Sequence, residues 1–102
     1  MRQTVATVMQ KQIEYDAARK ADVYFEAAGT ISGVFIPTGG VVVQKQYGQE
    51  YAGDFEFYTK KRHAGLVANN QLQIASVNYD IVAVRDYVKA ITVLLKREVP
   101  DG

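Results

Sequence analysis

The 102-residue chain has no cysteine and no tryptophan, and it holds only two prolines and one histidine. Without cysteine there is no disulfide framework, no thiolate metal site and no cysteine nucleophile, which suits assembly in a reducing cytoplasm. No apolar run nears the roughly 18 residues that cross a bilayer as a helix. The opening MRQTVATVMQKQ also lacks the apolar stretch of a signal peptide, so neither membrane insertion nor export by that route is expected. Neither sign of charge is in excess: 12 basic against 11 acidic side chains leave a net charge of +1. No global field then draws the chain to nucleic acid or to a membrane, and any such contact must be local.

Chemistry-bearing motifs are missing as well. There is no Gly-x-Ser-x-Gly elbow, no His-Glu-x-x-His pair, no phosphate-binding Gly-x-x-x-x-Gly-Lys and no Gly-x-Gly-x-x-Gly turn. His63, in KKRH, is the single histidine; with no partner at a recognisable spacing it reads as an exposed loop residue. No catalytic residue, metal site or cofactor is expected, and the chain is not expected to be an enzyme.

Apolar residues, 48% of the total, suffice for a packed core, and the length suits one domain, 1–102, near the size at which a single core is marginal. Seven tyrosines and four phenylalanines favour strands and interfaces. The patterning agrees. Residues 1–20 read as an N-terminal arm in which TVATVMQKQIEY (4–15) is either extended or a first strand, followed by the polar loop DAARKAD. Apolar runs 23–25 and 31–36 are punctuated by Gly29 and Gly33, and Pro37-Thr38-Gly39-Gly40 closes the unit. DFEFYTK alternates cleanly, placing Phe55 and Phe57 on one face. Asn69-Asn70 and Val77-Asn78 mark hairpin turns. The fold class expected is mainly β: a small single-domain barrel or sandwich of short antiparallel strands, with a long mobile hairpin loop over about 38–54.

Two clusters are candidates for contact. Lys60, Lys61, Arg62 and His63 form the only basic cluster, which reads first as a solvated turn and otherwise as a contact for about two or three phosphates. Tyr47 and Tyr51 suit either packing on the parent sheet or anchoring a neighbouring subunit. The stretch VRDYVKAITVLLKR (84–97) is ambiguous by itself, its apolar residues fitting both a helix face and a strand-turn-strand.

From about residue 30 onward the order ISGVFIP, YGQEYAGDFEFYTK and LVANNQLQIASVNYDIVAVRDYVKAITVLLKR resembles the small head-tail connector proteins of tailed bacteriophages, the head-closure or stopper group. Gly33, Phe35 and Pro37 answer that family's Gly-aromatic-x-Pro unit. Tyr79, Ile81 and Val84 answer its Tyr-x-Val-x-x-Val, with isoleucine at the middle position, and Asp86-Tyr87 its Asp-aromatic pair. The resemblance implies that Val84 ends one strand, 86–90 turn and 91–97 close the sheet. It further implies a structural virion protein of the neck, assembled in the host bacterial cytoplasm. Such a protein forms a homo-oligomeric ring below the portal and adaptor, offers a surface to tail-completion or tail-tube proteins, and retains packaged DNA with the 38–54 loop towards the channel. The resemblance thereby makes Val43, Lys45, Tyr47, Gly48 and Tyr51 the candidate projecting residues of that loop, and Lys45, Lys60, Lys61 and Arg62 the candidates to face DNA. Two other readings fit the composition: a small nucleic-acid-binding barrel using Phe55, Phe57 and Tyr58 as stacking platforms, and a tail-completion or tail-terminator protein.

Overall fold

Alternation along the chain becomes six antiparallel strands in a computed structural model that describes residues 3–46 and 49–98, the side chains of 38–46 and 49 excepted. They are β1 (Thr4–Tyr15), β2 (Ala21–Gln46), β3 (Gln49–Thr59), β4 (Gln71–Ile74), β5 (Val77–Tyr87) and β6 (Ala90–Arg97). Neighbours run β1-β2-β3-β6-β5-β4, and β4 pairs back onto β1, so the sheet closes into a barrel. Among the described residues there is no helix.

The inward face of each strand supplies the core: Ala6 and Val8 from β1, Ile31 from β2, Phe57 from β3, Leu72 and Ile74 from β4, Tyr79 and Ile81 from β5, and Ile91, Val93 and Leu95 from β6. Leu66, from the loop between β3 and β4, joins them. At one end of this core Phe35, Phe55 and Tyr79 form a triangle of rings with centroids 5.2–5.3 Å apart. Phe35 and Phe55 stack and Tyr79 meets Phe55 edge-on, a geometry worth about 0.5–1.5 kcal/mol per pair beyond burial.

Three irregularities shape the barrel. Opposite Val8 of β1, β2 supplies Ala28 and Gly29 between the pairs Thr7↔Thr30 and Met9↔Ala27, a bulge in which Gly29 takes φ +113°. In β5, Val82 is the extra residue between Ile81↔Leu95 and Ala83↔Leu94. That bulge explains the spacing Tyr79, Ile81, Val84: the first two alternate, and the added residue delays the next inward side chain by one. The third lies between Pro37↔Phe55 and Val42↔Gly53, where residues 38–41 of β2 face only Asp54. Straight, the 26 residues of β2 would span roughly 85 Å, whereas the longest dimension of the molecule is 48 Å. β2 therefore bends, and these irregularities are where its pairing allows it.

Several expectations change in detail. Residues 4–15 take the strand alternative. The β2 pairing continues through Pro37, so the 38–54 segment is a hairpin with paired arms, Val42↔Gly53 to Gln46↔Gln49. The turn expected at Val77-Asn78 falls two residues earlier, at Ala75 (φ +50°) and Ser76 (φ +66°), because Ile74 pairs with Val77 across a two-residue connection. Asn69 does adopt the left-handed conformation, with φ +78°. Residues 84–97 are strand-turn-strand, with β5 running on to Tyr87 rather than stopping at Val84.

Candidate functional site

Two hairpins reach beyond the closed barrel, one at each end of β2. The first joins β1 to β2 over residues 9–27 and is a two-stranded ribbon past Met9, where β4 pairing ends. One of its faces carries the directly opposed pairs Lys11↔Phe25, Ile13↔Val23 and Tyr15↔Ala21; the other carries Gln10↔Glu26, Gln12↔Tyr24 and Glu14↔Asp22. The first face is apolar and open, with Ile13 51%, Tyr15 70% and Val23 49% exposed. The second is acidic. Tyr24 donates a hydrogen bond to Glu14 Oε1 at 3.1 Å. That bond, together with slight desolvation and the charges of Glu14, Glu26 and Asp22, raises the pKa of the phenol above its ordinary value. Glu14 and Asp22 are like charges directly opposite one another, which disfavours the ribbon in isolation.

The second hairpin, β2–β3, folds back on the barrel instead of standing free. Leu94 points away from the core, yet it is fully buried, because the backbone of Gly53 lies on it; a Cβ at Gly53 would come within 2.7 Å of Leu94 Cγ. Further along, Tyr51 is half-buried and lines a cavity of about 260 Å3 with Leu66, Val67, Val82, Ala83 and Val84. Of the candidate projecting residues, Tyr51 thus packs on its own barrel. The backbones of Val43 and Lys45 pair with Ala52 and Glu50, and Tyr47 and Gly48 lie outside the described residues.

The basic candidates are not brought together. Lys45 pairs near the start of β3, whereas Lys60, Lys61 and Arg62 follow its end. Arg62 is engaged within the molecule: its guanidinium is 2.6 Å from Asp86 and donates to the carbonyls of Tyr87 and Val88 at 3.3 Å, clasping the β5–β6 turn. The Asp86 contact also raises its pKa, keeping it cationic. Lys60 and Lys61 instead line a groove of about 240 Å3 with Gln3, Ser32, Val34 and Tyr58 on the outside of the barrel. Of the aromatic residues considered as stacking platforms, Phe57 is fully buried, Phe55 belongs to the aromatic triangle, and only Tyr58 is exposed.

Composition could not place His63. Rather than hanging in solvent it is half-buried, with Nε2 2.8 Å from the Ala28 carbonyl and Nδ1 accepting the Gly65 N–H at 2.9 Å. Since Nδ1 accepts, Nε2 must carry the proton and donate, so the ring pins the β3–β4 loop to the β2 bulge. Asn70 secures the same loop: its amide donates to the Gly65 carbonyl at 2.9 Å and its Oδ1 accepts the Lys11 N–H at 3.0 Å. Both side chains thereby hold the β3–β4 loop in place. Among the described residues no group of three His, Asp or Glu side chains could hold a metal ion, and no helix is long and apolar enough to cross a membrane.

Fold and surface together define a small antiparallel β-barrel with two hairpin extensions, whose most distinctive surfaces are an amphipathic ribbon and a basic groove. The chain matches no protein-family model, and a search of curated proteins finds no match.

Proposed function

We propose that this chain is a structural virion protein of a tailed-phage neck, forming a homo-oligomeric ring between the portal-adaptor assembly and the tail, closing the filled head and retaining its DNA. It does so without catalysis. One observation carries the reading. The two sequence units that resemble the head-closure group meet in space: Phe35 of the first packs on Tyr79 of the second at 5.2 Å, with Phe55 completing the triangle. Gly33 lies against Phe57, where a Cβ would stand 2.7 Å from the ring, so the small residue of that unit has a packing reason. Ile81 is core, Val84 packs against it, and Asp86 holds Arg62. Residues scattered over 55 positions, from Gly33 to Tyr87, are therefore parts of one barrel architecture, as a shared fold requires.

Gating in this reading belongs to the tip of the β2–β3 hairpin beyond Tyr51, since Tyr51 and Gly53 hold its base against the barrel. Ring formation multiplies individually weak contacts, and an order or hinge transition of the tips opens the channel. The test is electron microscopy of particles made without this protein. The expected product is tailless heads that lose their DNA; full, stable heads bearing tails in its absence would overturn the proposal.

A further inference from the structure

Lys60 and Lys61 are adjacent cations that the fold holds in place without neutralising. Their backbone is pinned from both sides. The Lys61 N–H donates to the buried Thr59 hydroxyl at 3.0 Å, and that hydroxyl donates to the Ser32 carbonyl at 2.8 Å. Immediately after them, Arg62 clasps the β5–β6 turn through Asp86 and the carbonyls of Tyr87 and Val88. Arg62 and Asp86 satisfy each other, and among the described residues neither lysine has an ion-pair partner. Two like charges side by side repel, and an anion held between them removes that cost.

The groove of about 240 Å3 that they line also contains a ring. Tyr58 is 37% exposed and directly opposes Val34 across β2 and β3, so its outer side is open. Alternation continued from β3 sets Lys60 on the same outer side as Tyr58, roughly 7 Å further along the chain. Ser32 and Gln3 add a hydroxyl and an amide to the rim. Glu56, the previous outward residue of β3, disfavours an anion at the far end. Charge and ring therefore come in a fixed order: a phosphate at the lysines, a flat group over Tyr58.

We propose that this groove binds a nucleotide unit of a single-stranded nucleic acid, with the base stacked on Tyr58 and its flanking phosphates on Lys60 and Lys61. The inference goes beyond the neck reading, which places gating in the β2–β3 hairpin and gives the groove no role. A base is an aromatic ligand that arrives already joined to a phosphate, and the groove offers a partner for each part. Lysine suits a phosphodiester, because an ammonium is a point charge that accepts the anion in many orientations. A phosphorylated peptide is instead gripped by bidentate arginine, and Arg62 is committed to Asp86. Stacking on tyrosine tolerates every base, so the binding is independent of sequence. Near-neutral net charge confines attraction to this patch, where two lysines neutralise about two phosphates, and the affinity is correspondingly modest.

The test is a titration of isotope-labelled full-length protein with a single-stranded oligodeoxyadenylate hexamer, followed by NMR. Amide shifts are expected at Ser32, Gly33 and Val34 and from Tyr58 to Lys61. Tyr58→Ala should weaken binding about fivefold or more, the loss of one stacked base, whereas Tyr58→Phe keeps the ring and should bind as the parent does. Lys60→Gln/Lys61→Gln should weaken it about tenfold with an unchanged melting temperature. Inorganic phosphate and adenosine, each one part of the ligand, should both bind more weakly than the hexamer. Absence of shifts at millimolar hexamer, shifts confined to other surfaces, indifference to Tyr58→Ala, or tighter binding of a phosphotyrosine peptide would each overturn the site. Absence of binding together with heads that lose DNA without the protein would discard the groove and keep the neck reading; binding together with stable, tailed heads would do the reverse.

Discussion

Ala75 and Ser76 hold positive φ without glycine or asparagine, because two residues must join β4 to β5 and the twist of the strands demands the mirror-image turn. Each non-glycine residue there costs on the order of 1 kcal/mol. Replacing the pair by Asn-Gly is expected to raise the free energy of unfolding by about 1–2 kcal/mol, measured by urea denaturation; no gain would show that the turn is unstrained. His63 works in the opposite sense. His63→Ala removes the donor to Ala28 and the acceptor for Gly65 together, and a loss of about 1–3 kcal/mol is expected in the same assay. Neither effect was legible in the sequence. His63 carries no spacing signal, and Ala-Ser is not turn chemistry, so Val77-Asn78 drew the turn two residues too late.

For whole elements, the instructive stretch is 84–97. Its helix-like spacing joins residues that the barrel puts in different places: Val84, Ile91 and Leu95 face or pack on the core, Leu94 faces outward under Gly53, and Tyr87 and Val88 are exposed at the turn. Periodicity recorded apolarity but not which surface covers it. Leu94 is apolar because the β2–β3 hairpin folds over it, a long-range packing event that no local window contains. Leu94→Ala is thus expected to cost about 2–5 kcal/mol. It should also speed hydrogen exchange at residues 51–53 more than at β4; uniform acceleration would mean the hairpin base is not held there. The β1–β2 ribbon, by contrast, was visible as a weak alternation in 4–15, yet the two candidate surfaces it forms with residues 21–27 required the register.

At the level of the whole molecule, closure of the barrel leaves two kinds of surface: a basic groove where β3 ends, and an amphipathic ribbon that the barrel does not cover. A near-neutral chain can still hold a polyanion when its charges are segregated in this way. One consequence is measurable in solution. If a nucleic-acid strand meets the molecule through Lys60 and Lys61, retention on immobilised single-stranded DNA should weaken as salt rises from 0.05 to 0.5 M, and Lys60→Glu/Lys61→Glu should abolish it while leaving the fold intact. Retention that strengthens with salt would point to a purely apolar contact.

The sequence by itself determined the class of fold. Period-2 alternation, β-branched and aromatic enrichment, and turn residues at short intervals are local properties, and β-strands are specified largely by such local patterning. It also carried the two units whose resemblance to head-closure proteins supports the functional reading. Tertiary structure decided the rest: that the sheet closes on itself, that Phe35, Phe55 and Tyr79 meet, that Arg62 is spent on Asp86, that Gly53 lies on Leu94 while Tyr51 lines a cavity with Leu66 and Val84, and that one face of the β1–β2 ribbon is left open. All of these depend on register and on contacts between residues distant in the chain, and a one-residue slip in register would send every side chain of a strand to the other face.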